Sequence, residues 1–474
     1  MVTQMNVAIF GAGYVGLVTG TVLADIGHHV QLIEVSKDKV SRIMAGISPI
    51  FEEGLESALA RVRAKDQLRA TVDPAQGLQS AKVVFIAVGT PPGPHGEPEL
   101  SQVEAAARAI GQHLIVGGQT VVVNKATVPI GSAHLVSVWI EEGFREKHPG
   151  ERLPDFRVAS NPEFLREGSA IFDTLYPDRI VLGSDEGWVL DTLSALYRPI
   201  IEQSFTPPPE FARPSGHHEV PVVMVDAVSS EMIKYAANAF LATKISFANE
   251  IANICERVGA DAMAVMAGIG LDTRIGSRFL NPGAGWGGSC FGKDLASLTF
   301  TAREYGYQPK LLEATVNVNV AQRLLIVKRV QEILRPVKGR RVAIWGLAFK
   351  PGTDDIRDAP SLTVMEELLR MGMRITAYDP VAMPTVQRMR PDLPIQYGVT
   401  PESALEGAEA LIVVTEWPEF EHVDYAQIRK GLLRPVIIDG RNVLNEEKAR
   451  ENGLLYYGIG RRGTADDWVM GRGL

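Results

Sequence analysis

Residues 5–16 read Met5-Asn6-Val7-Ala8-Ile9-Phe10-Gly11-Ala12-Gly13-Tyr14-Val15-Gly16, and they set the architecture of the first part of the chain. An apolar run ends at Phe10, a glycine turn follows at once, and a helical pattern continues to Ala24. A strand, a glycine turn and a helix in this order let backbone amides approach a pyrophosphate at the helix N-terminus. The order predicts a doubly wound α/β domain that binds a dinucleotide through Gly11, Gly13, Tyr14, Val15 and Gly16.

A carboxylate follows this turn at the spacing that a ribose contact requires. The second predicted strand, residues 29–35, contains Glu34, roughly 20 residues after the turn. A carboxylate there accepts hydrogen bonds from the adenosine ribose and repels a 2′-phosphate. The pattern favours NAD over NADP, although Lys37 and Lys39 lie nearby, and FAD is an alternative because it uses the same glycine pattern.

Two further strands are predicted at residues 82–88 and 120–124, and each runs into a polar turn. Ligands bind at the carboxyl ends of strands in doubly wound sheets, so Thr90 and Thr127 are expected to face the cofactor. Threonine at a strand end is also commonly a helix cap. After the next strand, Glu163 and Glu167 are four residues apart, and on a helical turn the two carboxylates would share a face.

The stretch from Gly283 to Asp294 contains four glycines within six residues, followed by a cysteine. The glycines remove side-chain bulk, and a helix is predicted from Lys293 onward, which places Cys290 near a helix N-terminus. Helix amides favour the thiolate there, so Cys290 is the candidate nucleophile. The alternative is a small buried apolar residue inside a glycine-rich turn.

Residues 229–259 lack proline and interior glycine and repeat apolar side chains at helical spacing, which predicts one long helix with Ser229 or Ser230 as its N-cap. Lys234 and Asn238 are one turn apart and project from the same face. Two more predicted helices, 294–305 and 311–334, complete an all-helical middle section suited to dimer packing.

A second α/β pattern begins after the basic linker at residues 338–341, with strands predicted at 342–345, 375–378, 410–414 and 436–439. Its first turn lacks the glycine pattern of the first domain, so we expect it to bind something other than a second dinucleotide. Lys350, Arg357 and Arg441 are available there for phosphates.

The composition limits the class of protein. A chain of 474 residues is expected to form two or three domains, and a net charge of −8 argues against a general nucleic-acid or anionic-membrane binder. Only Cys255 and Cys290 are present, so a disulfide framework is excluded and a reducing cytoplasm fits. The N-terminus has neither a basic segment nor a cleavage site of a secretion signal. No metal site is predicted, because His217-His218 in the proline-rich loop 204–221 lack metal-ligand spacing.

Taken together, the chain resembles the UDP-glucose/GDP-mannose dehydrogenase family over nearly its whole length. The motifs that carry the resemblance, in family order, are the glycine turn at 11–16, Thr-Val-Pro at 127–129, Asn-Pro-Glu-Phe-Leu-Arg-Glu-Gly at 161–168, Lys-Tyr-Ala-Ala-Asn at 234–238, Arg-Ile-Gly at 274–276, Gly-Gly-Ser-Cys-Phe at 287–291 with Lys293-Asp294, and Asp-Gly-Arg at 439–441. The chain departs from the family where Gly292 replaces a usual proline and Glu34 a usual aspartate, and neither change removes a functional group.

The resemblance implies an α/β fold of two Rossmann-like, doubly wound domains joined by a long central helix and an all-helical dimerisation section. Residues 1–220 would form the NAD-binding domain, 221–335 the central helical domain with the cysteine loop, and 336–474 the UDP-sugar-binding domain. A homodimer in the cytoplasm is expected. The stretch at 242–250 and the Gly-Gly-Ser-Cys form are similar to those of the members that oxidise UDP-glucose, and GDP-mannose is the closest rival substrate.

The family reaction oxidises a primary alcohol to a carboxylate with two NAD, through a thiohemiacetal and a thioester on Cys290. The resemblance gives Lys234 and Asn238 contacts with the developing oxyanion. Proton transfer in oxidation falls to Asp294 and a water bound with Thr127. The candidates for acid–base work in thioester hydrolysis are Glu163 and Glu167.

Binding residues are carried over in the same way. Expected substrate contacts are Glu163, Phe164, Leu165, Arg166, Lys234, Asn238, Arg274, Phe279, Asn281, Gly287, Lys350 and Arg441, with Arg274 reaching the site of a partner subunit. Expected NAD contacts besides the glycine turn and Glu34 are Lys39, Thr90, Thr127, Glu167, Lys293 and Arg357.

Two other classes of protein share part of this sequence pattern. A two-electron hydroxyacid dehydrogenase shares the first domain and the long helix, but needs neither a cysteine nor a second α/β domain. A non-catalytic nucleotide-binding module would have no use for Cys290, Lys234, Asn238 and Asp294 together.

Overall fold

The computed structural model describes residues 4–93, 96–115 and 118–461. The described chain forms two compact units: the residues up to Ala236 together with Ala296–Tyr305, and Ala237–Leu295 together with the residues from Gly306 onward. Each unit is built around its own sheet. No helix in the described ranges is long and apolar enough to cross a bilayer.

The first unit contains an eight-stranded sheet. Its strands, in chain order, are β1 (Asn6–Phe10), β2 (His29–Ile33), β3 (Leu68–Thr71), β4 (Val83–Ile86), β5 (Gln119–Asn124), β6 (Asp155–Ser160), β7 (Ile180–Gly183) and β8 (Val222–Val225). They lie in the order β3-β2-β1-β4-β5-β6-β7-β8, and all neighbours are parallel except β6 and β7. The chain order reverses between β1 and β4, which is where ligands bind in doubly wound sheets.

Helices cover both faces of this sheet. They are α1 (Tyr14–Asp25), α2 (Lys37–Met44), α3 (Leu55–Ala64), α4 (Pro74–Leu78), α5 (Ser101–Gln112), α6 (Ser132–Lys147), α7 (Ala170–Leu175) and α8 (Gly187–Ile201). Along β1, Val7 and Ile9 pack on the side of α1, α3 and α8, whereas Ala8 and Phe10 pack on the side of α5 and α6. This alternation is the two-residue period of a strand buried on both faces.

The predicted helical section is confirmed within a few residues. Its helices are α9 (Ala227–Val258), α10 (Ala262–Gly270), α11 (Phe291–Glu304) and α12 (Lys310–Ile333). The predicted N-cap of the long helix is wrong, because Ser229 and Ser230 already lie inside α9. The Asp226 carboxylate accepts hydrogen bonds from the backbone N–H and the hydroxyl of Ser229, at 2.8 and 2.7 Å, and so takes the capping role.

The second unit contains a six-stranded sheet. Its remaining elements, in chain order, are β9 (Arg341–Trp345), α13 (Pro360–Arg370), β10 (Arg374–Tyr378), α14 (Met383–Met389), β11 (Gln396–Tyr397), α15 (Pro401–Ala404), β12 (Leu411–Val413), a 3-10 helix (Pro418–His422), α16 (Tyr425–Gly431), β13 (Val436–Asp439), α17 (Glu446–Glu451) and β14 (Leu455–Gly458). The order β11-β10-β9-β12-β13-β14 is parallel throughout. The predicted α/β class with two doubly wound sheets is confirmed.

Two local predictions differ from the structure. Residues 161–168 form no helix, because the chain is irregular from Asn161 to Arg166, turns at 167–168, and enters α7 only at Ala170. Glu163 and Glu167 therefore do not share a helix face. Residues 204–221 are irregular as expected, but the loop is more than a surface excursion, since Phe211 packs against the core of the first unit.

Candidate active site

The turn after β1 has the geometry of a dinucleotide-binding turn. Gly11 has φ +93°, and a Cβ there would lie 2.7 Å from the carbonyl oxygen of Ala87. At Gly16, a Cβ would lie 1.9 Å from the carbonyl oxygen of Gly11, so only glycine permits this approach of α1 to the turn. Nothing lies within 4 Å of the corresponding position at Gly13. The start of α1 is therefore accessible to a pyrophosphate.

Glu34 stands at the end of β2 beside this turn. Its carboxylate accepts hydrogen bonds from the backbone N–H of Ala12 at 2.9 Å and of Ser36 at 3.0 Å. Lys39 Nζ lies 3.8 Å from the same carboxylate. The hydrogen bonds fix the carboxylate on the glycine turn, where a ribose contact is expected, and the residues present fit an NAD adenosine half.

Tyr14 and Glu52 form a contact that the sequence analysis missed. The Tyr14 hydroxyl contacts the Glu52 carboxylate and accepts a hydrogen bond from the backbone N–H of Gly168 at 2.9 Å. Glu52 also accepts from the backbone N–H groups of Gly168 and Ala170, at 2.7 and 2.6 Å. The contact fixes the end of the 161–168 loop against the first turn of α1, where Val15 packs against the core.

Lys234 on α9 and Glu163 in the 161–168 loop form a buried ion pair. Lys234 Nζ lies 2.8 Å from Glu163 Oε1, and both side chains are more than nine-tenths buried. Burial by itself raises the pKa of the Glu163 carboxyl, but the Lys234 charge and a hydrogen bond from the backbone N–H of Leu165 outweigh it, so the pKa lies below its ordinary value. Glu163 is therefore an anion that needs Lys234 as its counter-charge.

Two cations lie over the ring of Phe164. The Arg179 guanidinium carbon is 3.6 Å from the ring centroid and Lys234 Nζ is 5.6 Å from it. Cations over an aromatic face are attracted by its quadrupole, by about 0.5 to 2 kcal/mol according to exposure. Phe164 thus helps to orient Lys234, and Arg179 is a second residue that the sequence analysis missed.

The predicted cofactor threonines are joined at the carboxyl ends of their strands. Thr90 donates a hydrogen bond to the carbonyl oxygen of Thr127 at 2.8 Å. Next to Thr127, the buried Lys125 donates to Asn161 Oδ1 at 2.9 Å. Burial lowers the pKa of the Lys125 ammonium to about 8. The loop after β5 therefore brings together Thr90, Thr127 and a lysine that the motifs did not single out.

The other residues of the 161–168 loop differ in surroundings. Leu165 packs partly against the core of the first unit, and Glu167 is half-buried. The exposed Arg166 pairs with Asp173 at 2.5 Å. In the described contacts Arg166 is thus engaged by a carboxylate of its own unit rather than directed toward Glu163.

Buried hydrogen bonds hold the cysteine loop of the second unit in one shape. The Trp286 backbone N–H donates to Asn319 Oδ1 at 2.8 Å, and Arg323 donates to the Trp286 carbonyl oxygen at 2.6 Å. Arg323 also pairs with Asp358 at 2.6 Å. At Gly287 a Cβ would lie 2.2 Å from the carbonyl oxygen of Asp358, so the loop requires glycine there.

Cys290 directly precedes α11, which confirms its predicted position at a helix N-terminus. The side chain is half-buried, its Sγ lies 3.5 Å from Ser289 Oγ, and its carbonyl oxygen accepts from the backbone N–H of Asp294 at 2.9 Å. One turn into α11, the buried Asp294 carboxylate accepts from Asn238 Nδ2 at 2.6 Å and lies 3.7 Å from Lys293 Nζ. A thiol near a carboxylate–amide pair is an arrangement for nucleophilic addition with proton transfer.

The turn after β9 differs from the turn of the first unit. Asp379, at the end of β10, accepts hydrogen bonds from the backbone N–H of Leu347 at 2.7 Å and Ala348 at 3.1 Å, and from Trp417 Nε1 at 2.9 Å. The Asp379 carboxylate is fully buried and already has several donors. Its hydrogen-bonding capacity is therefore used within its own unit.

The basic residues expected to meet phosphates lie near this second turn and its neighbouring strand ends. Arg441 pairs with Glu416 at 3.1 Å, and Arg357 pairs with Asp355 at 2.7 Å. Lys350 is half-buried. The carboxyl end of the sheet in the second unit thus presents three cations.

The 272–281 segment carries three of the predicted substrate contacts of the second unit. Arg274 is exposed and pairs with Asp272 at 2.6 Å. Phe279 has φ +64°, a left-handed conformation that costs about 1 to 3 kcal/mol in a bulky residue and clusters at functional sites. Asn281 is exposed. None of these side chains forms a described contact with Cys290.

The residues that the sequence analysis missed share one property. Glu52, Arg179, Arg323 and Asp379 act through backbone groups or rings that are distant in sequence. A motif records local spacing, so the only available signal was a charged residue inside an otherwise apolar or glycine-rich stretch. Among the described residues, no group of three or more His, Cys, Asp or Glu side chains is placed to hold a metal ion.

The chain has the parts of a nucleotide-dependent oxidoreductase: a dinucleotide turn with its carboxylate, a buried lysine and a helix-terminal thiol. Three models of the UDP-glucose/GDP-mannose dehydrogenase family match the chain: the NAD binding domain over residues 5–201, the central domain over 228–321 and the UDP binding domain over 343–446. The chain therefore belongs to the UDP-glucose/GDP-mannose dehydrogenase family, and the resemblance seen in the sequence is confirmed.

Individual relatives are similar over almost the full length. The chain is 43% identical to a UDP-glucose 6-dehydrogenase of Pseudomonas aeruginosa over 96% of this chain and 98% of the relative. It is 41% identical to a UDP-glucose 6-dehydrogenase of Bacillus subtilis over 97% of this chain and 94% of the relative. The solved structure of a UDP-glucose dehydrogenase from Pyrobaculum islandicum matches with a TM-score of 0.86 at 36% identity, covering 97% of this chain and 98% of that one.

Proposed function

We propose that the protein is an NAD-dependent UDP-glucose 6-dehydrogenase that oxidises the C6 alcohol of the sugar to a carboxylate. The observation that carries the proposal is the half-buried thiol of Cys290 at the start of α11, in a chain whose first unit has a dinucleotide turn. A simple alcohol dehydrogenase has no need of such a thiol. A four-electron oxidation needs one, because the intermediate aldehyde must be trapped before its second oxidation.

The covalent steps take place on Cys290. NAD, when bound, supplies the hydride acceptor for both oxidations. After the first oxidation, Sγ adds to the C6 aldehyde and forms a C–S bond, which gives a thiohemiacetal. Loss of the second hydride and a proton gives a thioester. Water then adds to C6, the C–S bond breaks, and the carboxylate leaves as the thiol is restored.

Lys234 and Asn238 are proposed to stabilise the negative oxygen that develops at C6. The Lys234 ammonium is fixed by Glu163, and the Asn238 amide is fixed by Asp294, so neither donor must reorganise during the reaction. Asp294 and a water bound with Thr127 accept protons during oxidation. Glu163 and Glu167 act as acid–base groups in hydrolysis.

The residues proposed to bind the two nucleotides are those that the family resemblance implies. The glycine turn, Glu34, Lys39, Thr90, Thr127, Glu167, Lys293 and Arg357 are proposed for NAD. The substrate residues proposed are Glu163, Phe164, Leu165, Arg166, Lys234, Asn238, Arg274, Phe279, Asn281, Gly287, Lys350 and Arg441. We propose domain limits of 1–220, 221–335 and 336–474 for the NAD-binding, central and UDP-sugar-binding parts, which is compatible with the residues that the three family models match.

The test of the proposed function is the amount of NADH formed per sugar. With limiting UDP-glucose and excess NAD, we expect two NADH per UDP-glucose, measured by absorbance, and UDP-glucuronate as the product. Parallel assays contain GDP-mannose and UDP-N-acetyl sugars. A yield of one NADH would indicate a two-electron dehydrogenase. A preference for GDP-mannose would indicate that GDP-mannose, and not UDP-glucose, is the substrate.

We also propose a homodimer formed through α9. Phe240, Phe247 and Ile254 recur every second turn on one side of the helix, and Val258 follows one turn later. All four are exposed in the single chain, Phe240 by 65% and Val258 by 71%. An apolar stripe of this length on a soluble protein indicates a protein partner, and a second copy of the same helix is the simplest complement.

Substitution of this stripe should separate the subunits. We expect Phe247→Arg to convert the dimer to a monomer at micromolar concentration, because two buried guanidinium groups would face each other across the interface. Sedimentation equilibrium measures the change. Phe51→Arg is the control, since Phe51 is also exposed but belongs to the loop between α2 and α3 of the first unit. A dimer that survives Phe247→Arg would contradict this interface.

The proposed chemistry favours a reducing compartment. Cys255 and Cys290 are not joined in a disulfide, and the reaction requires Cys290 as a thiol. Cys255 is buried among apolar side chains of α9 and α10. We therefore propose a cytoplasmic location.

A further inference from the structure

A small cavity lies within the first unit, directly beside the Lys234–Glu163 pair. It is lined by Asn124, Thr127, Glu163, Glu231 and Lys234, among others, and its volume is about 20 Å³. About 10 to 15 Å³ is enough for one water molecule when two or more polar groups can bind it. The cavity therefore has room for one internal water.

Three buried polar atoms of the lining side chains lack a hydrogen-bond partner among the described residues. They are Oδ1 and Nδ2 of Asn124 and Oε1 of Glu231. Asn124 is 2% exposed and Glu231 is 5% exposed. Buried polar groups are nearly always hydrogen-bonded to protein or to ordered water. A water in the cavity would give both side chains the partner that the protein itself does not supply.

The other oxygen of Glu231 is held by the protein. Oε2 accepts a hydrogen bond from the backbone N–H of Gly131 at 2.5 Å, at the start of α6. Burial raises the pKa of the Glu231 carboxyl to about 7, against the lowering effect of backbone donors at residues 131–133, and the charge of Asp226 raises it further. The other charged groups that line the cavity are Lys125, Glu163 and Lys234. Near neutral pH this carboxyl can both accept and release a proton.

We propose that Asn124 and Glu231 bind an internal water through which Glu231 receives the proton released in thioester hydrolysis. The inference rests on the proposed function. When water adds to the thioester, one of its O–H bonds breaks, its oxygen bonds to C6, and that proton passes to Glu163. The C–S bond then breaks, and the second proton of the water goes to Sγ of Cys290. The internal water carries that proton on to the Glu231 carboxylate, and the neutral acid later loses it to solvent. No electrons are exchanged in these steps. Glu163 returns to its anionic state beside Lys234, ready for the next turnover.

Glu231→Gln tests this role with little change in shape, since the amide oxygen can still accept from Gly131. We expect kcat to fall about tenfold or more while kcat/KM for UDP-glucose stays the same, because kcat/KM covers only the steps before hydrolysis. Wild-type kcat should rise with pH through about 7, as the Glu231 acceptor ionises, and the variant should lose this inflection. Glu250→Gln is the control, the same substitution at an exposed site on the same helix.

Pre-steady-state kinetics separate this inference from the proposed function. With Glu231→Gln we expect a burst of two NADH per active site followed by slow turnover, because both oxidations precede hydrolysis. A wild-type enzyme that forms no NADH from UDP-glucose would overturn the proposed function. A variant with a normal burst, normal kcat and the wild-type pH profile would overturn only the proton relay.

Asn124→Leu gives an independent measurement if Glu231→Gln folds poorly. The leucine side chain fills the cavity and removes both amide atoms, so we expect the same fall in kcat with Glu231 intact. A high-resolution crystal structure of the wild type should show one water bonded to Asn124 and Glu231, absent in Asn124→Leu. A dry cavity in the wild type, or full kcat in Asn124→Leu, would contradict the proposal.

Discussion

Cys290→Ser is expected to bring steady-state turnover of UDP-glucose below detection, a loss of at least about a thousandfold, while both ligands still bind. A serine hydroxyl is a poor nucleophile without a dedicated base, because a helix N-terminus favours a thiolate but cannot ionise an alcohol. The substitution changes one atom in a half-buried side chain, so the fold should be unaffected. Steady-state NADH assays measure the turnover, and calorimetric titrations with NAD and UDP-glucose measure the binding of the two ligands.

The chain provides its own control for this experiment. Cys255→Ser makes the same chemical change in a buried side chain of α9 that packs against Ala252, Ala262 and Ile459. It should cost some stability, about 1 kcal/mol, because a hydroxyl replaces a thiol in an apolar cluster, but turnover should be retained. Near-native rates in Cys290→Ser would refute the covalent mechanism. Equal losses in both variants would point to the fold rather than to the sulfur atom.

The parts of the fold that local spacing determines could be predicted from the sequence. The glycine turn at Gly11–Gly16, the long helix and the position of Cys290 before α11 follow from glycine conformation and from helical or strand periodicity, which act within a few residues. The strands β3, β7, β8, β11 and β14 were missed. They are two to four residues long, and their pairing partners, not their own sequence, decide that they form.

In the candidate site, too, local spacing could be predicted from the sequence, whereas contacts between distant residues could not. Glu34 and Lys234 could be selected because their motifs have a fixed spacing, but the burial of the Lys234–Glu163 pair depends on how the 161–168 loop folds back over α9. On a helical turn Glu163 and Glu167 would share a face, but the loop is irregular from Asn161 to Arg166. The unpartnered atoms of Asn124 and Glu231 have no counterpart in the sequence pattern, since only packing shows which polar groups lack a partner.

Lys234→Met is the second substitution with a large expected effect: kcat should fall about a hundredfold or more, while the affinity for NAD is unchanged. Methionine preserves most of the volume but removes the ammonium that we propose as oxyanion donor, and loss of one such donor costs about that factor. Lys328→Met is the control, because Lys328 is an exposed lysine of α12. Stopped-flow NADH formation and NAD titration give the two quantities, and a change confined to NAD affinity would contradict the assigned role.

Stability measurements can separate the catalytic loss from structural damage. In Lys234→Met the buried Glu163 carboxylate keeps only its weaker charge interaction with Lys125. Loss of the ion-pair partner should cost about 3 to 5 kcal/mol of unfolding free energy at neutral pH. In the wild type the Glu163 pKa is lowered, so its contribution to stability is present above the unfolded-state pKa and lost on acidification. In the variant burial would raise that pKa, and stability should instead be lost as pH rises.

A double variant separates the effect of the unpaired charge from that of the missing oxyanion donor. Glu163→Gln in the Lys234→Met background removes the unpaired charge, so most of the lost stability should return and its pH dependence should flatten. Catalysis should not return, because the oxyanion donor is still absent and the proposed base of hydrolysis has also been removed. If activity recovered together with stability, Lys234 would be a structural counter-ion only, and stabilisation of the C6 oxygen would have to come from Asn238.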